Sequence, residues 1–188
     1  MKALIYSTLN FPLFLLLGAF CISVQTSLFQ MYPLSYLQPD ALLVIVIWYA
    51  NKRSLWEGGV MTLLLAHMAE LHSSAPQGLF YVCYMLIFLA TFGFRHLTII
   101  PYLSSIVSIT FFASILWKLT HILTLLMLGE GLEQWRHTFA LLLPGSVMNA
   151  VLAVWLFRWF DRIDWVTFKN PKARSLMDGD LLLDELGF

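Results

Sequence analysis

The sequence predicts an all-α fold, a polytopic membrane protein built as a bundle of six transmembrane helices. Of the 188 residues, 60% are hydrophobic and only 12% are charged, whereas soluble domains have about half and about a quarter. The apolar residues form six stretches, and the loops between them alternate between rich and poor in Lys and Arg. The formal net charge of zero gives no basic surface for nucleic acid, so we expect no such partner.

The six predicted spans are 9–30, 36–51, 55–71, 77–94, 98–127 and 138–160. A helix needs about 20 apolar residues to cross a bilayer, so the second and third are short. The first apolar run exceeds the core of about 7–15 residues typical of a secretory signal, and we expect it to be retained. The fifth would reach about 45 Å, which predicts a tilt, a break or a projection from the membrane.

Residues at the ends of the spans support these divisions. Pro39 and Asp40 fit the first turn of the second span, where proline costs little and an acid suits the helix dipole. Ser54 and Glu57 have the spacing of a capping box at the start of the third span. The turn residues at 73–78 separate the third span from the fourth.

The loops predict the orientation of the chain. Cytoplasmic loops carry an excess of Lys and Arg, and nine of the eleven such residues lie on one side, against Arg136 in the opposite loops. We therefore expect both termini in the cytoplasm and the turns near 33–37, 72–76 and 129–137 outside. Residues 1–164 form the predicted transmembrane domain, and 165–188 a short cytoplasmic tail that either docks on a partner or is disordered. The nine residues are Lys2, Lys52, Arg53, Arg95, Arg158, Arg162, Lys169, Lys172 and Arg174.

Polar side chains inside the apolar spans are the main candidates for a functional site, because each costs about 2.5–3.5 kcal/mol at the centre of a spanning helix. His67 and Glu70 share a helix face, with His72 just beyond, but a metal site needs three or four ligands. Cys21 and Cys83 suit small apolar packing positions. No nucleophile elbow, P-loop, zincin motif or dinucleotide fingerprint is present, so we expect neither enzymatic activity nor a cofactor.

Glu70 requires a partner if it lies within the bundle. Lys118 and His121 are three residues apart in the outer half of the fifth span, and either is a candidate to neutralise Glu70. The side chain of Lys118 can instead extend to the outer interface. Both alternatives remain open at the level of the sequence.

The first span has a face of small residues, Ala19, Ser23 and Ser27, at intervals of four. Such a face allows another helix to approach closely. The approaching helix belongs either to this protein or to another subunit. Ser146 and Asn149 in the last span are candidates for hydrogen bonds between helices.

Residues 38–87 resemble the MreD rod shape-determining proteins, and 141–163 resembles their last helix. That family has Pro-Asp opening its second helix, a short basic turn, a Gly-containing helix with an acidic residue near its end, and a turn ending in Pro-x-Gly or Pro-Gly. It usually has aspartate at the position of Glu70, and often Gly or Leu at the positions of Ala66 and His67. The matching residues are Pro39, Asp40, Lys52, Arg53, Gly58, Gly59, Glu70, Pro76 and Gly78.

This resemblance implies a non-enzymatic scaffold of the bacterial inner membrane that helps regulate peptidoglycan synthesis and cell shape. The implied partners are the lipid bilayer, a bitopic MreC-like protein, the MreB filament, a membrane glycosyltransferase and a penicillin-binding transpeptidase. The architecture is also similar to the substrate-capture subunits of vitamin uptake transporters. A substrate-binding subunit for a vitamin or other small molecule is therefore the alternative function.

Overall fold

The computed structural model describes residues 2–28, 39–73, 75–95, 102–129 and 142–167. Over these ranges the chain contains six helices and no strand, which confirms the all-α prediction. The predicted outer turn at 33–37, the loop containing Arg136 and the tail beyond Thr167 lie outside the described residues. The helices are α1 (Lys2–Leu28), α2 (Ala41–Lys52), α3 (Leu55–Leu71), α4 (Leu79–Phe94), α5 (Tyr102–Met127) and α6 (Leu142–Val166).

The short helix α2 lies at the centre of the bundle. Every residue from Ala41 to Ala50 is buried, and the other five helices all pack against it. A helix that is hydrophobic on all sides is expected to be buried in this way. Its 12 residues extend about 18 Å, less than the hydrocarbon core of about 30 Å.

The direction of the helices alternates along the chain. Asn10, near the start of α1, contacts Arg53 after the end of α2 and Asp164 near the end of α6. Gln25, near the other end of α1, donates to the carbonyl of Pro39 just before α2. The bundle thus has an Arg53 end and an Asp40 end, named after the charged residues that flank α2.

Helix α1 packs on the bundle through Asn10, Phe14, Gly18 and Ile22, which are all buried. The ring of Phe14 stacks on that of Trp48 with centroids 4.9 Å apart. Gly18 lies against α2 and α3, where a Cβ would come 2.6 Å from a methyl group of Leu65.

The predicted small-residue face of α1 is offset by one residue from this packing face. Ser23 and Ser27 are exposed and Ala19 is half-buried. The hydroxyl of Ser23 donates to the carbonyl of Ala19 at 3.0 Å, within the same helix. Contact of this face with another subunit therefore stays a prediction.

Three of the described helices are long and apolar enough to cross a membrane, over Thr8–Ser27, Ser105–Met127 and Leu142–Val166. Large apolar side chains are exposed on the outside of the bundle, among them Leu16 and Phe112. A protein in water rarely exposes so much contiguous apolar surface. The membrane character predicted from composition is thus supported, while a crossing by each of the six helices stays a prediction.

Candidate functional site

The first polar cluster is centred on Asp40, directly before α2. The Oδ1 atom of Asp40 accepts from the backbone N–H of Leu43 at 2.9 Å, which caps the helix. The hydroxyl of Tyr84 in α4 donates to the same carboxylate, 3.1 Å from Oδ1 and 2.9 Å from Oδ2. Asp40 therefore both starts α2 and joins it to α4. Its position after Pro39 indicated the helix start but not the contact with α4.

Asn149 extends this cluster to α5 and α6. Its Oδ1 atom accepts from the backbone N–H of Asp40 at 2.6 Å, and its Nδ2 atom donates to the hydroxyl of Ser114 at 3.0 Å. Lys118 of α5 is close enough to Asp40 for the two charges to attract each other. The predicted role of Asn149 in hydrogen bonding between helices is confirmed, whereas Ser146 bonds to the carbonyl of Leu142 in its own helix.

Aromatic rings surround the Asp40 cluster on the side of α4 and α5. The ring of Trp117 lies 5.3 Å from that of His121 and 6.0 Å from that of Tyr84, measured between centroids. Phe80 completes the group, 6.3 Å from His121. The Nδ1 atom of His121 and the Nε1 atom of Trp117 are buried and have no hydrogen-bond partner. His121 thus packs among rings rather than against an acid.

Glu70 joins the end of α3 to the start of α4. Its Oε1 atom accepts from the backbone N–H of Gly78, the residue directly before α4. Gly78 has a φ of +94°, in the left-handed region that favours glycine. The predicted pairing of Glu70 with Lys118 or His121 is not found, because Oε1 of Glu70 binds a backbone amide and neither Oε2 of Glu70 nor Nδ1 of His121 has a hydrogen-bond partner among the described residues.

Pro76 closes the turn between α3 and α4. Its carbonyl accepts from the backbone N–H of Leu79, the first residue of α4, at 3.3 Å. The break predicted from 73–78 is thus confirmed. Pro76 and Gly78 therefore form the turn that was expected between the third and fourth spans, and the side chain of Glu70 in α3 binds the backbone of this turn.

The second polar cluster lies at the opposite end of α2 and is centred on Arg53. One guanidinium nitrogen donates to Oδ1 of Asp164 and, at 3.2 Å, to Oδ1 of Asn10. The Nδ2 atom of Asn10 donates in turn to Asp164 at 3.0 Å and to the hydroxyl of Thr167 at 2.7 Å. This buried network ties α1 and α6 to the turn after α2.

The same arginine also contacts α3 and α4. Glu57 lies 3.5 Å from Nε of Arg53, and the backbone N–H of Glu57 binds the hydroxyl of Ser54 at 3.3 Å, which confirms the predicted cap of α3. Arg95, after α4, donates to the carbonyl of Arg53 at 2.9 Å. The guanidinium of Arg53 stands over the ring of Trp48, 5.1 Å from its centroid.

Gly58 and Gly59, two of the residues that resemble the MreD family, have different surroundings. A Cβ on Gly58 would lie 2.5 Å from Cε2 of Phe88, so Gly58 permits the close approach of α3 and α4. A Cβ on Gly59 would lie 3.8 Å from the same ring, an ordinary contact. Only Gly58 is required by packing.

The two histidines near Glu70 make separate contacts. A ring nitrogen of His67 lies 2.7 Å from the hydroxyl of Tyr81, and one of His72 lies 2.8 Å from the carbonyl of Met68. In the described part of the chain, no three side chains of His, Cys, Asp or Glu come together as a metal site would require. Cys21 and Cys83 are both free thiols.

Asn10, Tyr84 and Asp164 belong to these clusters although the sequence did not single them out. Asn10 and Asp164 are polar residues within or at the end of an apolar run, which is the property that drew attention to Glu70. Tyr84 gave no such signal, since tyrosine is common in membrane spans.

Comparison of the chain with models of protein families, with curated proteins and with solved structures gives no match. The structure itself defines the class as an α-helical bundle with helices able to cross a membrane. Within that class, both polar clusters consist of contacts that hold helices together.

Proposed function

We propose that this chain is a scaffold of the bacterial inner membrane, a member of the MreD family that acts without turnover in cell-wall elongation. In this role it binds an MreC-like bitopic protein and helps regulate peptidoglycan synthesis and cell shape. The observation that carries the proposal is the structural role of the residues that resemble the MreD family. Asp40, Gly58, Glu70 and Gly78 all position helices, as expected of residues that maintain a shape.

The surface of the bundle also supports a role in binding other membrane proteins. Arg53 binds Asp164 inside the bundle and Asp40 accepts from Tyr84 there, whereas the outer faces of the long helices expose apolar side chains. Such faces contact either lipid or the spanning helices of partners. With both termini in the cytoplasm, as the loop charges predict, the Asp40 end faces outward.

Association with an MreC-like protein is tested by purification of the tagged chain from its own host. We expect an MreC-like bitopic protein to co-purify, and depletion of the chain to convert rod-shaped cells into wide or round ones. The absence of such a partner together with unchanged cell width on depletion would contradict the proposal.

Glu70 allows a scaffold to be distinguished from an enzyme. In Glu70→Gln the amide oxygen can still accept from Gly78, so a structural Glu70 predicts normal cell width at normal protein level. Glu70→Leu has no acceptor and is expected to lower the level of the protein and widen the cells. If Glu70→Gln accumulates normally and still fails to restore width, the carboxylate has a chemical role and the non-enzymatic assignment is wrong.

The alternative is a substrate-binding subunit of a vitamin or small-molecule transporter. The observation in its favour is the group of aromatic and basic side chains at the Asp40 end, namely Phe80, Trp117, Lys118 and His121. It predicts that a small molecule stays bound through purification in mild detergent. Mass spectrometry of the denatured sample detects that molecule, and its loss in Trp117→Leu would favour this alternative.

A further inference from the structure

The exposed face of α6 is aliphatic in its first half and combines tryptophan with arginine in its second half. Trp155 and Trp159, and likewise Arg158 and Arg162, are four residues apart, so each pair shares one face. Aliphatic side chains suit the hydrocarbon layer, tryptophan is enriched at the membrane–water interface, and cations suit the headgroup layer. The exposed residues are, in chain order, Leu143, Pro144, Val147, Val151, Trp155, Arg158, Trp159, Arg162, Trp165 and Val166.

The two tryptophans form a pair on this face. Their ring centroids are 5.0 Å apart, and the side chains are 55% exposed for Trp155 and 54% for Trp159. The two half-exposed indoles, tilted by 42° to each other, provide an apolar surface beside the basic residues. Such a surface suits the glycerol and first methylene groups of a lipid.

The two arginines carry positive charge that no residue described by the structure neutralises. Neither Arg158 nor Arg162 makes a hydrogen bond or ion pair with any residue that the structure describes. The acids of α6 point the other way, because Asp161 pairs with Lys52 at 3.5 Å and Asp164 binds Arg53.

We propose that this face of α6 binds the phosphate of an anionic phospholipid. A guanidinium presents a planar set of donors that matches phosphate oxygens, and residues four apart on a helix have Cβ atoms about 5–6 Å apart. Arg158 and Arg162 can therefore grip one headgroup together, while Trp155 and Trp159 contact the lipid below it. A zwitterionic lipid fits less well because its own cation repels the two arginines.

The proposal is tested by quenching of tryptophan fluorescence in nanodiscs. The full chain is placed in phosphatidylcholine containing one fifth phosphatidylglycerol, with bromine on the acyl chains of either lipid. The difference in tryptophan fluorescence between the unmodified chain and the double variant Trp155→Phe/Trp159→Phe gives the signal of this pair. We expect brominated phosphatidylglycerol to quench this signal more per molecule than brominated phosphatidylcholine, with a local enrichment of about fivefold per arginine.

The double variant Arg158→Gln/Arg162→Gln is expected to remove the preference. Its matched control is Lys169→Gln/Lys172→Gln, which removes two positive charges outside α6 and is expected to keep it. Equal quenching by the two lipids in the unmodified chain would refute the proposal. A preference for phosphatidylglycerol that survives in the arginine variant would also refute it. Loss of the preference in both variants would refute it as well, because the preference would then depend on the overall charge of the chain.

Two further measurements keep the test decisive if the arginine variant folds poorly. In the unmodified chain, a salt concentration of 0.5 M is expected to weaken the preference, because ions screen the exposed guanidinium groups. Added inorganic phosphate at millimolar concentration is expected to leave it unchanged. A preference that salt does not alter, or that phosphate abolishes, would overturn the assignment to a lipid headgroup.

Discussion

Replacement of Asp164 by Asn is expected to destabilise the bundle strongly, because it removes the most buried counter-ion of Arg53 and leaves only the more exposed Glu57, 3.5 Å from Nε. Arg53 is 8% exposed and Asp164 is 5% exposed. Removal of one partner of such a pair costs about 3–5 kcal/mol. Asn10 adds to this figure, since its amide donates to the same carboxylate.

The loss is measured as a shift in the unfolding of the purified chain in mixed micelles, with a rising fraction of sodium dodecyl sulfate. The matched control is Lys52→Gln, which breaks a half-exposed pair of 3.5 Å with Asp161. Pairs of that kind contribute about 0–1 kcal/mol, so a small shift is expected there.

A second variant separates burial of charge from packing. In Arg53→Met/Asp164→Leu both charges are absent, and replacement of a whole buried pair by apolar groups is often neutral or stabilising. We expect the double variant to recover most of the stability that Asp164→Asn loses. A loss below about 1 kcal/mol in Asp164→Asn, or a double variant no better than the single one, would refute this account of the Arg53 cluster.

Other predictions concern the Asp40 cluster and the contact between α3 and α4. Tyr84→Phe removes the hydroxyl whose single proton is shared by the two carboxylate oxygens of Asp40, and it is expected to cost about 1–3 kcal/mol. An unchanged unfolding midpoint would show that the hydroxyl does not support Asp40. Gly58→Ala places a methyl group against Phe88 and is expected to cost about 1–3 kcal/mol, whereas Gly59→Ala has room and is expected to gain up to about 1 kcal/mol from helix propensity. The same unfolding assay compares the two alanine variants, and equal effects would contradict the packing assigned to Gly58.

Over the described residues, the sequence predicted the six helices and most of their ends, because those features depend on local signals. The third span was predicted as 55–71 and α3 is Leu55–Leu71. Ser54 caps α3, as its spacing from Glu57 indicated, whereas Asp40 was predicted in the first turn of the second span and instead caps α2 from the position before it. Capping involves atoms within three residues, so it does not depend on how the helices are arranged.

The partners of Glu70 and Asp40 could not be predicted in the same way. Which charged groups meet depends on the rotation of each helix about its axis, and apolar periodicity does not fix that rotation when lipid surrounds the bundle. The faces of α1 show the same difficulty. The buried residues Gly18 and Ile22 directly precede the half-buried Ala19 and the exposed Ser23, and both sets repeat every four residues.

The alternating arrangement of the helices across a membrane is tested most directly by labelling of single cysteines. Cys21 and Cys83 are replaced by Ala, and one cysteine is introduced either at Ser54, in the exposed turn before α3, or at Gln77, in the exposed turn before α4. In spheroplasts, a membrane-impermeant maleimide is expected to label Gln77→Cys at once and Ser54→Cys only after lysis. Labelling of both cysteines in intact spheroplasts would contradict the account, because α3 would then not cross the membrane.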